Sequence, residues 1–137
     1  MKTIDPETPT LALVVEDEPI IADYLASLLR DAGIEAAVAT TAADALHLTN
    51  TTLFDVMFID LGLPDQSGLE VIDSVQRAFP ELPIVISTGF GASVLRDSII
   101  GQRHVQLLTK PYAAEKLNAV LMKCRFSDQT LLQHKQA

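Results

Sequence analysis

Short apolar runs alternate with amphipathic segments along the whole chain. Residues 11–15 (LALVV), 54–59 (FDVMFI) and 83–87 (PIVIS) are almost continuously apolar, the pattern of parallel strands covered on both faces. Weaker strands are expected at 35–39 (EAAVA) and 105–108 (VQLL). Between the first two runs, residues 19–32 place Ile21, Leu25, Leu28 and Leu29 on one helical face, with Pro19 suited to a first turn and Gly33 to a C-terminal cap. A shorter, alanine-rich helix is expected over 41–50. Residues 68–79 put Leu69, Ile72, Val75 and Phe79 on one face, and Ser67 with Glu70 supplies the S-x-x-E pattern that opens a helix. Helices over 92–100, closed by Gly101, and over 113–126, with Leu117, Val120, Leu121 and Cys124 together, complete five βα units.

Right-handed crossovers then require a doubly wound α/β fold, an open parallel sheet with helices on both faces. The expected domain occupies 10–126, after a loose lead-in at 1–9 and before a tail or linker start at 127–137. At 137 residues and 48% hydrophobic content, one domain with a proper core is what the chain can build. The formal charge of −8, without a block of basic residues, argues against direct binding to nucleic acid or to an anionic membrane surface. No signal-peptide core and no run of membrane-spanning length is present in the sequence, so the expected location is the cytoplasm. Cys124 is the lone cysteine and reads as core filling rather than as a reactive thiol.

Ligands of such sheets bind beyond the carboxyl ends of the strands, which directs attention to the residues just after each one. Glu16-Asp17-Glu18-Pro19 follows the first strand, Asp60 ends the third, Thr88-Gly89 the fourth and Lys110-Pro111 the fifth. Each has an ordinary structural explanation taken alone: acidic residues suit a helix start, and Asp60 before Gly-x-Pro suits a turn. Their coincidence at one sheet edge is the informative feature. Carboxylates about 5 Å apart repel by roughly 3 kcal/mol at an effective dielectric near 20, so Glu16, Asp17 and Asp60 would be unfavourable together without a cation. Mg²⁺ suits the need, because it takes oxygen ligands from one or two carboxylates and a phosphate. Lys110 can neutralise part of the remaining charge and hold a phosphoryl oxygen. The Thr88 hydroxyl and the Gly89 N–H can donate to another oxygen of that group. Asp60, the carboxylate least needed for the metal, is then the candidate nucleophile, since aspartate forms acyl phosphates.

The pattern VVEDEP … DLGLPDQSG … STG … KP resembles the receiver domain of two-component response regulators, the CheY-like family, over residues 10–125. The resemblance implies a flavodoxin-like (βα)5 fold with strand order 2-1-3-4-5. It implies that Asp60 is the phosphoacceptor, that Asp17 binds Mg²⁺ directly with Glu16 acting through water, and that the Gly62 backbone carbonyl completes the metal site. Thr88 would be the switch hydroxyl, Lys110 the phosphoryl-pairing lysine, and the bond between Lys110 and Pro111 a cis peptide. The implied partner is a sensor histidine kinase or a histidine phosphotransfer protein, whose phosphoryl group passes to Asp60 and repacks a protein-interaction surface. The protein would be a switch rather than an enzyme, capable at most of its own phosphorylation and dephosphorylation.

Three features depart from the family pattern. Leu107 stands where an aromatic switch residue is common, which shifts expected output toward backbone movement or Tyr112. Gly62 and Phe90, two residues after Asp60 and Thr88 respectively, offer no polar group to orient an attacking water, so slow autodephosphorylation is expected. The stretch over the fourth helix and fifth strand lacks an obvious charged dimer face, and oligomeric state stays open. His47, His104 and His134 lack metal-ligand spacing. With no output domain after Phe126, output is expected through protein contact or onward phosphotransfer, unless the chain is a piece of a larger regulator or hybrid kinase. Competing readings are a non-phosphorylated pseudo-receiver, an aspartate-nucleophile Mg²⁺ phosphatase, and a flavodoxin-like carrier. The phosphatase usually needs a second aspartate where Gly62 stands, and the carrier's anion would be repelled by Glu16-Asp17-Glu18.

Overall fold

The computed structural model describes residues 11–88, 104–110 and 113–124, with Thr88 described in its backbone only. The strands are β1 (Leu11–Val15), β2 (Glu35–Ala39), β3 (Val56–Asp60), β4 (Ile84–Thr88) and β5 (Val105–Thr109). The helices are α1 (Pro19–Asp31), α2 (Ala42–Thr51) and α3 (Gly68–Ala78), followed by α4 over residues 114–124. All strand pairs are parallel, in the order β2-β1-β3-β4-β5. The winding therefore reverses at β1, and the crevice lies where β1 and β3 diverge into their following loops. The expected helix over 92–100, its Gly101 cap and both chain ends fall outside the described residues.

Strand alternation divides the core between the two faces of the sheet. Ala12, Val14, Val56, Phe58, Val85 and Leu108 point to the face covered by α1 and α4, where they join Leu25, Leu29, Leu117 and Cys124. Leu13, Val15, Met57, Ile59, Ile84 and Ile86 point to the other face, against Ala45 of α2 and Val71, Ile72 and Val75 of α3. β1, β3 and β4 are thus buried on both sides, which is why their sequences are apolar up to their carboxyl ends, where Asp60 closes β3 and Ser87-Thr88 closes β4. Cys124 is buried among these residues, as its spacing indicates.

Local signals set the element ends. Pro19 begins α1, and the helix closes in a Schellman motif: Gly33 N–H donates to Arg30 O at 2.9 Å and Ile34 N–H to Leu29 O at 2.8 Å. Gly33 adopts φ +86°, a conformation glycine takes without steric cost. Thr41 caps α2 rather than joining it, its hydroxyl oxygen accepting from Asp44 N–H at 3.1 Å. Ser67 caps α3 by accepting from Leu69 N–H at 3.1 Å. β3 starts two residues later than the apolar run, at Val56. Asp55 instead turns a side-chain oxygen back to accept from Leu11 N–H at 2.9 Å, anchoring the start of β1.

Candidate functional site

The ends of β1, β3 and β5 bring four of the expected residues together. One carboxylate oxygen each from Glu16, Asp17 and Asp60 lies within 4.8 Å of the others. Lys110, the residue after β5, places Nζ 3.2 Å from Glu16 Oε1 and 3.8 Å from Asp60 Oδ1. Sheet order explains the convergence. β1 and β3 are neighbours in register through Val15 and Ile59, while Lys110 reaches across β4 from the far strand. β4 ends beside them, with Ser87 opposite Asp60 and Thr88 opposite Thr109. The Thr88 side chain, Gly89, Phe90, Pro111 and Tyr112 lie outside the described residues, so the expected phosphoryl donors, the cis peptide and the Tyr112 route are not part of this geometry.

Glu16 is the most enclosed of the acids, 3% exposed. Both of its oxygens are engaged: Lys110 Nζ donates to Oε1 and Glu18 N–H donates to Oε2 at 3.2 Å. Burial still dominates and holds its carboxyl above the usual range, with the Asp60 charge pushing the same way against the hydrogen bond from Glu18 and the Lys110 ammonium. A buried acid whose proton affinity is raised beside two further carboxylates, with one ammonium among the described residues for all three, is a site short of positive charge. An oxygen-preferring divalent cation fits that donor set.

The loop between β3 and α3 is fixed from two sides, and sequence reasoning missed both anchors. On the inside, Gly68 N–H donates to Leu61 O at 3.0 Å. A Cβ on Gly68 would stand 2.8 Å from Asp60 O and from Leu61 Cα, closer than real carbons approach backbone, so only glycine fits. On the outside, Asp65 reaches the first turn of α2, accepting from Ala42 N–H at 2.8 Å and Ala43 N–H at 3.0 Å. Those bonds hold its carboxyl below the usual carboxylate range. Gly62 is different: a Cβ there would meet nothing within 4 Å, so its lack of a side chain answers no steric demand. Leu107 is partly buried and packs on the α2/α3 side of the core.

The groove of about 580 Å³ lined by residues such as Leu53, Phe54, Phe79 and Pro83 opens at the opposite edge, where β3 and β4 begin. It contains none of the clustered acids. Among the described residues, no helix is long and apolar enough to cross a membrane.

Known proteins resemble this chain in sequence and in fold. The chain is 35% identical over 107 residues to the transcriptional regulatory protein DltR of Streptococcus agalactiae, covering 78% of this chain and 48% of that one. It is 37% identical over 112 residues to the sensory transduction protein RegX3 of Mycobacterium tuberculosis, covering 80% and 48%. It thus spans about half the length of these curated relatives. The receiver domain of NtrX from Brucella abortus superposes with a TM-score of 0.77 at 32% identity, over 83% of this chain and 97% of that one. The family model for the response regulator receiver domain matches residues 12–122, a span that begins within β1, ends within α4 and includes every clustered acid and Lys110, so the chain belongs to the receiver family of two-component response regulators.

Proposed function

We propose that this chain is a phosphorylation switch, in which Asp60 takes a phosphoryl group from a phosphohistidine on a sensor kinase or histidine phosphotransfer protein. The carrying observation is the placement of the Asp60 carboxylate at the end of β3, within 4.8 Å of two other carboxylates and 3.8 Å from Lys110 Nζ. Asp17 and Asp60, with the Gly62 carbonyl, are the proposed Mg²⁺ ligands, and Glu16 acts through water because its oxygens are already engaged. When bound, the ion supplies charge neutralisation to the phosphoryl oxygens.

In the transfer, an Asp60 carboxylate oxygen attacks phosphorus in line with the P–N bond. The P–O bond forms as the P–N bond breaks, and the departing imidazole takes a proton from solvent. Lys110 holds a phosphoryl oxygen as a point charge, its ammonium already between Glu16 and Asp60. Thr88, which closes β4 two strands from β1, is the proposed donor that moves toward the phosphoryl group, biasing a two-state equilibrium. With Leu107 aliphatic, that bias passes through the backbone of β4 and β5 to a protein partner. The chain acts in the cytoplasm, where it is a signalling switch without turnover on small phosphate esters, since Gly62 supplies no general acid.

Intact-mass analysis after incubation with Mg²⁺ and phosphoramidate tests this. Wild type gains one phosphoryl group, while Asp60→Asn, or wild type with EDTA, gains none. An unmodified wild type would move the chain to the pseudo-receiver reading.

A further inference from the structure

We infer that Asp65 is a positioning residue for the metal site: by clamping the β3–α3 loop to the first turn of α2, it holds the Gly62 carbonyl where a cation can use it. The inference rests on the proposed assignment of Asp60 and Gly62 as Mg²⁺ ligands.

Asp60 and Gly62 open a loop that closes at the Leu61 O to Gly68 N–H hydrogen bond of 3.0 Å. The ends of that loop meet where Asp60 closes β3 and Gly68 brings its bare Cα close to the Asp60 carbonyl. The middle, residues 62–66, has no strand or helix of its own. Leu63 packs partly buried against the core, and the hydrogen bonds that tie the loop down come from Asp65, 2.8 and 3.0 Å from consecutive backbone N–H groups. Those are the first two N–H groups of α2, whose next donor, Asp44 N–H, is taken by Thr41. The first turn is therefore fully partnered, with two of its three donors served from a residue more than 20 positions away.

α2 is a sound anchor for such a clamp. Its buried residues are Ala42, Ala45 and Thr49, the two alanines 0% exposed and packed on the sheet. Both of Asp65's oxygens point into a helix start, where the macrodipole favours a carboxylate, and none is directed at the metal cluster. Asp65 thus acts on the cation only through the backbone of Leu63 and Pro64. Mg²⁺ demands near-ideal octahedral geometry, so a carbonyl ligand on a loop free to wander binds it poorly. Groups that orient metal ligands from outside commonly cost about tenfold or more in affinity when removed.

The test compares Asp65→Ala with Thr41→Ala in the same chain. Both delete a side-chain cap of the α2 first turn, but only the first releases the loop. Two readouts are taken: Mg²⁺ affinity from amide chemical-shift titration, and hydrogen-exchange protection of Gly68 N–H. Asp65→Ala is expected to weaken Mg²⁺ about tenfold and to speed Gly68 exchange, while Thr41→Ala leaves Mg²⁺ affinity within about twofold and Gly68 protected. Asp65→Asn, which retains one carboxyl-type oxygen, falls between. Unchanged affinity in Asp65→Ala, or an equal loss in Thr41→Ala, overturns the positioning role. A wild type that shows no Mg²⁺-dependent shifts sinks the metal assignment instead, and the exchange readout then decides the clamp by itself: unchanged Gly68 protection in Asp65→Ala refutes it.

Discussion

Replacing the proposed phosphoacceptor should make the metal-free protein more stable, although it abolishes phosphorylation. In the absence of a cation, Asp60 faces Glu16 and Asp17 within 4.8 Å, and each such pair repels by about 3.5 kcal/mol at an effective dielectric near 20. The ammonium that the described residues place near it, Lys110 at 3.8 Å, returns about 4 kcal/mol on the same scale. Asp60→Asn removes both repulsions and one attraction, a net gain of roughly 2–3 kcal/mol before solvent relaxation, which reduces it to about 1–2. The asparagine occupies the same volume, so packing contributes little. Urea unfolding followed by circular dichroism, at low salt in EDTA, reads the difference directly. Adding Mg²⁺ should then reverse the order, because the ion binds the folded wild type and stabilises it by mass action. An Asp60→Asn variant less stable than wild type in EDTA would refute the charge argument. A gap indifferent to Mg²⁺ would refute the identification of this cluster as the metal site.

Four further outcomes follow from the same geometry. Gly68→Ala drives a Cβ to 2.8 Å from backbone at Asp60 and Leu61, and should cost about 1–3 kcal/mol in the urea midpoint together with a slower phosphorylation rate; wild-type behaviour would show that the loop yields. Gly62→Asn should leave stability within about 0.5 kcal/mol, because open space surrounds that Cβ, yet shorten the phosphoryl lifetime by offering a polar group to water; wild type itself should keep its phosphoryl group well beyond seconds, which timed intact-mass spectra check. Ser87 Oγ is buried with no hydrogen-bond partner among the described residues, so Ser87→Ala should be neutral or stabilising by up to about 1 kcal/mol in thermal melts. The pH dependence in EDTA has two limbs. Glu16 binds its proton more tightly folded than unfolded, so stability falls as pH rises from about 4.3 through its folded value, and Glu16→Gln should flatten that limb. Asp65 binds its proton less tightly when folded, so its contribution is present above about 3.9 and lost as pH falls through its folded value, a loss that Asp65→Asn should remove.

The parts of this molecule that were legible before its structure are those written in side-chain identity. β1, β3 and β4 are buried on both faces along most of their length, so their positions before the carboxyl ends are constrained to be apolar and the run announces itself. The ends of α1 follow Pro19 and Gly33, whose backbone preferences are their own. The sheet edge was legible for a related reason: a doubly wound topology brings all strand ends together, so a list of residues following each strand is already a list of neighbours. Glu16, Asp17, Asp60 and Lys110 meet accordingly. Boundaries were less legible. Asp55 reads as a strand residue within FDVMFI, but its side chain takes the Leu11 N–H, a choice settled by a partner 44 positions away.

The anchors of the β3–α3 loop stayed hidden because their partners are backbone. Asp65 binds Ala42 and Ala43 through N–H groups that any residue but proline would supply, so nothing in the letters at 42 and 43 points to position 65. Gly68 is needed because of where the Asp60 carbonyl lies, again a property of the chain path and not of the aspartate. In Pro64-Asp65 a turn-forming reading and a clamp are indistinguishable by sequence, and the adjacent S-x-x-E box already accounts for the start of α3. The two glycines of the loop make the same point from opposite sides. Gly68 is required by contact and Gly62 is not. A site whose acids repel one another needs a scaffold that does not depend on them, and Asp65 and Gly68 hold this loop through α2 and α3 without using any of the clustered charges.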